Sequence, residues 1–395
     1  MSKATMLPYF FHVLGSKRRV HSFIVRGLAL ANASISALKS RTAGSDTDGT
    51  ATTAAPAATT MWVEDAVADG RPVTSGGKGM SSTPAPPASA SISELLTLII
   101  TTSPTPSAPA TELLDAVFKS IRLHCGDLLS CRIIVVLDTY ERIGDVPRLK
   151  KGQVTEKGAE EYAEYKENVK KLVLGEYSQH ERPDELNQEQ GEAEYGYNGR
   201  ATTVTTNSAI FTVSRTKDIR VSFVEPSERL GFGLAVRTAL RMTTTPYVWV
   251  HQHDWTLVYD IPVAPILDVM KTQDADEESP VKYVCLASVR MLKYAETAHA
   301  QEFPQLRMLT TKLKRGFTPP SHPKTQVPLT PMFFWHDKPH IAATDHYLTR
   351  VFPTRLAIPR GAFIEDTIGH RARTQMKEQG MWARAFVAFN YLEAR

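Results

Sequence analysis

Two uninterrupted apolar runs, Leu95–Ile100 (LLTLII) and Ile133–Leu137 (IIVVL), constrain this chain more than anything else in it. A strand with one wet face alternates apolar and polar residues; a strand that is apolar throughout has to be covered on both faces. Between the runs, Thr111–Leu123 sets Leu113, Leu114, Val117, Phe118 and Ile121 on one helical face. Strand, helix and strand of this kind form a βαβ unit, and so a parallel sheet packed between helices. Further strands are predicted at Val221–Val224, Tyr247–Val250 and Val281–Ser288, with helices over Gly231–Arg241 and about Asp366–Lys377. The expected fold class is α/β: a Rossmann-related, mostly parallel central sheet flanked by helices, in a single domain.

That domain is expected over residues 92–395. Residues 46–91 are rich in Thr, Ala, Ser, Gly and Pro and lack the apolar content to offset ordering entropy, so they read as a disordered low-complexity linker. Residues 1–45 carry seven basic residues, Lys3, Lys17, Arg18, Arg19, Arg26, Lys39 and Arg41, and no acidic one. That composition reads as a targeting segment: a plastid or mitochondrial transit peptide, or a signal or anchor of the secretory pathway and Golgi, with a plain basic tail as the alternative. Residues 144–206 form a charged insertion. Its first part sets Tyr162, Tyr165, Val169 and Leu172 at helical spacing, and Glu181–Arg200 is expected to be a mobile polar loop. The net charge of +4 over 395 residues argues against a nucleic-acid partner. No run of apolar residues is long enough for a clear transmembrane segment. Three cysteines cannot build a disulfide framework.

The chemistry-bearing cluster is Trp249-Val-His-Gln-His-Asp-Trp255, where an apolar strand turns polar at its C-terminal end. Open α/β sheets bind ligands at that edge. Strand alternation puts Gln252 and Asp254 on one face and His251, His253 and Trp255 on the other. A carboxylate there suits a hard divalent cation, which in turn holds a diphosphate; the alternative is a polar strand end with a hydrogen-bonded Asp.

In order, LLTLIITT, CRIIVVLDTY, RLGFGLAVRTAL, TPYVWVHQHDW and FIEDTIGHRARTQMKEQG resemble the inverting family-two glycosyltransferases of the GT-A, nucleotide-diphospho-sugar transferase, fold. The resemblance covers about Leu95 to Gly380. It implies transfer of a sugar from a nucleotide-diphosphate donor to a hydroxyl of a glycan, protein or small-molecule acceptor, assisted by Mn2+ or Mg2+. By position it implies that Thr101 and Thr102 line the nucleotide pocket and that Asp138 contacts the base or ribose. Arg229 and the helix opening at Gly231 would lie near the donor phosphates, with Gln252 and His253 beside them. Asp254 would hold the metal, and Asp366 or Glu365 would deprotonate the acceptor. The family's first motif carboxylate is Gln252 in this chain.

Lys312, Lys314, Arg315 and Arg371 are candidate cations for the leaving diphosphate, or an ordinary basic surface. Asp366 is alternatively an N-cap. Trp335, His336 and Asp337 are expected at an acceptor-side rim, with Phe333 and Phe334 either beneath the acceptor or in the core, and a helix beginning near Thr344. Gly231-Phe-Gly233 lacks the third glycine of a dinucleotide fingerprint, since Val236 stands there, which argues against a Rossmann dehydrogenase. Two other readings stay open. One is a non-catalytic nucleotide-sugar-binding protein of the same fold. The other is a metal-dependent hydrolase or oxygenase using His251, His253 and Asp254 with His336, His340, His346 or His370.

Overall fold

The structure, a computed structural model, describes residues 90–195, 207–276, 280–286, 293–312, 314–379 and 388–391. The basic segment 1–45 and nearly all of the linker 46–91 lie outside the described residues. The described residues begin close to where the apolar pattern begins. Ser91 and Glu94 close a capping box around a single helical turn, Ile92–Leu95, which leads directly into β1, Leu96–Thr102.

Every residue of β1 is buried, as its composition requires. It pairs in parallel with β2 (Arg132–Leu137) on one side and β8 (Tyr247–Gln252) on the other, and β2 pairs in parallel with β7 (Val221–Pro226). The alternation of these strands divides the core into two layers. Leu98, Ile100, Val135, Leu137 and Phe223 point into a layer closed by α1 (Glu112–His124), α2 (Glu156–Glu176) and α4 (Val263–Thr272). Ile99, Ile134, Val136, Val224 and Val250 point into the opposite layer, closed by α3 (Phe232–Arg241), α6 (Pro304–Lys312) and α7 (His370–Gln379). A short helix, α5, spans Ala298–Glu302 before α6.

The sheet departs from the mostly parallel one expected. Among the described residues it has eleven strands in the order β10-β11-β13-β9-β12-β8-β1-β2-β7-β6-β5, and parallel pairing there is confined to β7-β2-β1-β8 and to β9 (Tyr283–Leu286) with β13 (Ala388–Tyr391). β12 (His340–Ala343) inserts antiparallel between β8 and β9. β10 (Arg315–Phe317) and β11 (Val327–Met332) extend one end in antiparallel pairing, and β5 (Asn187–Tyr195) and β6 (Asn207–Arg215) extend the other. The sheet is therefore mixed.

The charged insertion is more ordered than its sequence suggests. Thr155 caps α2 by accepting the Gly158 N–H at 3.0 Å, and the helix buries Tyr162, Tyr165, Val169 and Val173. Lys166 and Lys170 both hold Glu225 of β7, at 2.7 and 2.6 Å. The polar stretch expected to be a mobile loop instead holds β5, paired residue for residue with β6 from Asn187↔Arg215 to Tyr195↔Asn207. As an edge strand with an exposed face it needs almost no apolar residues: of its side chains only Ala193 is buried. Residues 196–206 lie outside the described residues. A small separate sheet, β3 (Arg142–Ile143) with β4 (Gln153–Val154), closes the start of the insertion.

Candidate functional site

From β1 the chain builds outward through β2 and β7, then returns to the other side of β1 as β8. The C-terminal ends of β1 and β8 therefore diverge into opposite connections. A crevice outside the carboxyl ends of the strands at such a switch point is where open α/β sheets bind ligands. A cleft of about 120 Å³ lies there. It draws its walls from the ends of β1 (Thr101, Thr102) and β8 (Gln252, His253), from Asp138 after β2, and from Arg229 and Gly231 before α3. All seven are donor-side candidates by sequence. Leu149, Gly152 and Val154 of the insertion, with Phe232 and Phe363, also line it.

The two threonines differ in what they face. Thr102 shares a hydrogen bond with the Tyr165 hydroxyl at 2.8 Å, so α2 braces the strand end. Thr101 points the other way, is 6% exposed and lines the cleft; its hydroxyl has no partner among the described residues.

Asp138 also lines the cleft, but its carboxylate is engaged by the chain. Oδ1 accepts the Leu230 N–H at 2.8 Å and the Thr139 N–H at 3.0 Å, and Oδ2 accepts the Gly231 N–H at 2.8 Å. Burial pushes its pKa up to about 6 against the pull of these donors and of Arg229. The Gly233 N–H is likewise taken, by the Ala362 carbonyl at 3.2 Å. Helix starts attract anions through unpaired N–H groups; at α3 an internal carboxylate already occupies those before the first turn. Gly231 is required by shape. Its φ is +77°, and a Cβ there would sit 2.4 Å from the Gly361 Cα. The Gly361 N–H donates to the Leu230 carbonyl at 2.8 Å. This close approach fixes the segment leading to Glu365 against the mouth of α3.

At the end of β8 the side chains have separate tasks. His251 is fully buried: Nδ1 accepts the Trp249 indole N–H at 3.1 Å and Nε2–H donates to the Trp255 carbonyl at 2.7 Å. Burial lowers its pKa to about 4, so the ring is neutral. Gln252 donates an amide N–H to the Asp337 carbonyl at 2.5 Å. His253 Nδ1 faces the Thr101 carbonyl at 3.3 Å; burial lowers its pKa, opposed by Asp254 and that carbonyl. Asp254 is exposed. For the divalent cation implied by the resemblance, this leaves the Gln252 side-chain oxygen, His253 and Asp254. Among the described residues no group of three His, Cys, Asp or Glu side chains gathers to hold a metal. A divalent ion that also binds substrate phosphates takes as few as one or two carboxylates from the protein and keeps several waters, so this donor set suits an ion held together with a diphosphate. The hydrolase or oxygenase arrangement is not formed either. Besides His251, His340 is fully buried, with Nδ1 on the Lys338 carbonyl at 2.7 Å and Nε2 on the Tyr347 hydroxyl at 3.1 Å.

Through Gln252, the cleft is tied to the carboxyl pair. The Glu365 N–H lies 3.2 Å from each Asp337 carboxyl oxygen, and the Asp337 N–H donates to Glu365 Oε2 at 3.3 Å. His336 Nδ1 lies 3.5 Å from Glu365 Oε1 and Lys338 Nζ 3.9 Å from Oε2. Burial alone would raise the Glu365 pKa, but His336, Lys338 and the Asp337 N–H outweigh it and hold the group below the usual carboxylate range. Burial, then the charges of Glu365 and Asp366, push Asp337 well above that range, against the Glu365 N–H and Lys338. The same surroundings thus drive the two carboxyl groups apart, Glu365 downward and Asp337 upward. Asp366 is exposed and caps nothing: the backbone is already helical at Ile364, and Glu365–Gly369 form a π-helical turn running into α7.

Trp335 is not at a rim. It is 1% exposed and packs against Tyr283, His340 and Tyr347. Asp337, Phe333 and Phe334 are buried too, leaving His336 half-buried. The predicted helix start at Thr344 is present as a turn over Thr344–His346. Of the cations proposed for a leaving group, Lys312 and Arg315 lie toward the far end of the sheet. Arg315 opens β10, six strand spacings from β1, about 29 Å, and holds Gln273 and Asp276. None of Lys312, Lys314, Arg315 and Arg371 lines the cleft. Arg229, which the motif order indicated, lines it, and the exposed Lys150 and Lys151 stand in sequence between its lining residues Leu149 and Gly152.

No protein-family model matches this chain, and no curated protein matches it. Among solved structures it is similar to a mannosyltransferase from Pyrobaculum calidifontis in complex with GDP-Man and Mn2+, at 13% identity and a TM-score of 0.30. The match covers 73% of this chain and 63% of that one. Likeness at that level is too low to assign an activity.

Proposed function

We propose that this chain is a glycosyltransferase that binds a nucleotide-diphosphate sugar in the β1/β8 cleft and transfers the sugar, with inversion, to an acceptor hydroxyl. The observation that carries the reading is the cleft itself: a polar pocket at the switch point, lined by the donor-side residues indicated by the motif order. Glu365 is the base in this reading. It is partly exposed, and its neighbours hold its pKa below the usual carboxylate range, whereas burial raises that of Asp337 beside it; environments that drive two carboxyl groups apart in this way assign one to accept a proton. The acceptor oxygen forms a bond to the anomeric carbon as its proton passes to Glu365. The bond from that carbon to the diphosphate breaks with its electron pair, so negative charge grows on the leaving nucleotide.

The test is a panel of nucleotide sugars offered to the full chain, read by melting temperature and by release of nucleoside diphosphate. A donor that binds the folded state raises the melting temperature, and turnover identifies the sugar. With that donor, Glu365→Gln is expected to lower kcat by about 10²–10⁴-fold with little change in donor affinity. Undiminished turnover in that variant would remove Glu365 as base. A second reading, a nucleotide-sugar-binding protein without catalysis, is favoured by Gln252, whose amide is spent on the Asp337 carbonyl. Donor binding without turnover for any sugar would select it.

A further inference from the structure

We propose that Phe232 and Phe363 form the acceptor platform of this site, and that the hydroxyl to be glycosylated belongs to a sugar ring seated on them. The inference rests on the glycosyltransferase reading above and names its acceptor class.

Both phenylalanines line the cleft. Their rings stack, with centroids 6.0 Å apart and planes 23° from parallel. Phe232, which opens α3, packs partly buried against the core layer below it. Phe363 is 45% exposed. An apolar ring open to water at the edge of a polar cleft leaves area for a ligand to cover. The backbone is held on either side of that ring. Before it, the Gly361 N–H donates to the Leu230 carbonyl and the Ala362 carbonyl accepts the Gly233 N–H. Arg360 ties the same segment to Glu141 at 2.7 Å and to Glu228 at 3.2 Å. After it, Ile364 is fully buried and the Glu365 N–H is taken by Asp337. The fold therefore presents Phe363 at the cleft edge.

Position selects what the rings hold. Phe363 precedes Glu365 by two residues, so a molecule on the platform lies beside the proposed base. In a nucleotide sugar the ribose and the diphosphate separate the nucleobase from the anomeric carbon. The group that takes the acceptor proton therefore stands near the reacting carbon and the acceptor, and away from the nucleobase. A pyranose has a face of C–H groups and a rim of hydroxyls. The face covers aromatic carbon, and the rim needs hydrogen-bond partners. Glu141 and Glu228, held by Arg360 three residues before Phe363, stay exposed and carry carboxylate oxygens free to accept from such hydroxyls. A serine or threonine side chain brings one hydroxyl and no flat apolar face to cover the rings.

The test takes the donor found with the nucleotide-sugar panel and the full chain. Release of nucleoside diphosphate is measured with methyl glucoside, methyl mannoside, methyl galactoside and cellobiose, and with a peptide rich in Ser and Thr. At least one saccharide is expected to raise release, and the peptide to leave it at the rate with water alone. Phe363→Ala is expected to raise the acceptor KM by about tenfold or more, a larger factor than its effect on donor affinity by calorimetry, with melting temperature little changed. Phe363→Tyr should keep the acceptor KM low, and Phe232→Leu should raise it by removing the stacked ring. Release stimulated by the peptide and by no saccharide would overturn the acceptor class and leave the glycosyltransferase reading standing. Saccharide transfer with an unaltered acceptor KM in both Phe363→Ala and Phe232→Leu would overturn the platform. Loss of donor affinity larger than the change in acceptor KM would put the donor on these rings and overturn the acceptor assignment. Failure of every nucleotide sugar to bind would overturn the reading beneath it as well.

Discussion

Gln252 performs a task that a carboxylate at its position cannot. Its amide N–H meets the Asp337 carbonyl, and Asp337 in turn receives the Glu365 N–H. One amide therefore connects the end of β8 to the carboxyl pair. An ionised group there would turn an oxygen toward a carbonyl oxygen and leave that carbonyl unpaired. Gln252→Glu is expected to destabilise the fold by about 1–3 kcal/mol at neutral pH, with partial recovery in acid, where a protonated Glu can donate again. Urea unfolding at pH 7 and pH 5 checks this; an unchanged midpoint at pH 7 would show that the contact carries little. Residue types with two possible roles are where the sequence is least informative. His251 and His253 look alike in a motif, yet one is locked between Trp249 and the Trp255 carbonyl and the other borders the cleft.

Among the elements, the junction of α3 with the 360–365 segment governs the site. Gly231 and Gly361 approach so closely that a side chain at position 231 would overlap the backbone opposite. Gly231→Ala is expected to cost about 1–3 kcal/mol in strain alone. It should also shift Asp138 and Glu365 together, lowering turnover along with stability. Loss of stability with full turnover would separate the two. The parallel strands were legible because burial on both faces leaves an unbroken apolar signature, as in LTLIITT and RIIVVL. Their C-terminal polar residues, Thr101, Asp138 and Gln252, were legible for the same reason: polarity stands out where an apolar run stops. β5 was not, because an exposed edge strand reading NQEQGEAEY has no periodicity to detect. Trp335 misled in the opposite direction, since its neighbours His336 and Asp337 lend a polar context to a core side chain. The cations beside the cleft could not be ranked against Lys312–Arg315, because a sequence gives no distance across a sheet.

The whole molecule carries its charge burden in acid. Burial lowers His251, His340 and His346 to about 4. Unfolded, these rings take a proton near 6.5, so between that pH and about 4 the unfolded chain binds more protons and stability falls as pH drops. Asp138 and Asp337 act in the opposite sense: the fold raises their pKa values, so their burial penalty is relieved on acidification. His253, lowered by burial, and Glu365, held below the usual carboxylate range, shift in the direction that adds to the loss, so the net effect over that window is a decline in stability. Urea midpoints at pH 6.5 and pH 5 should show the decline, and a chain more stable at pH 5 would contradict the burial assigned to the histidines.

The proposed nucleotide-sugar site lies at the divergence of β1 and β8. Hydrogen exchange of the full chain with and without saturating donor tests it most directly. Protection is expected in segments 101–104, 138–139, 149–154, 229–235 and 252–253, which supply the cleft lining. Protection confined to other segments, with these unchanged under a donor that demonstrably binds, would contradict it.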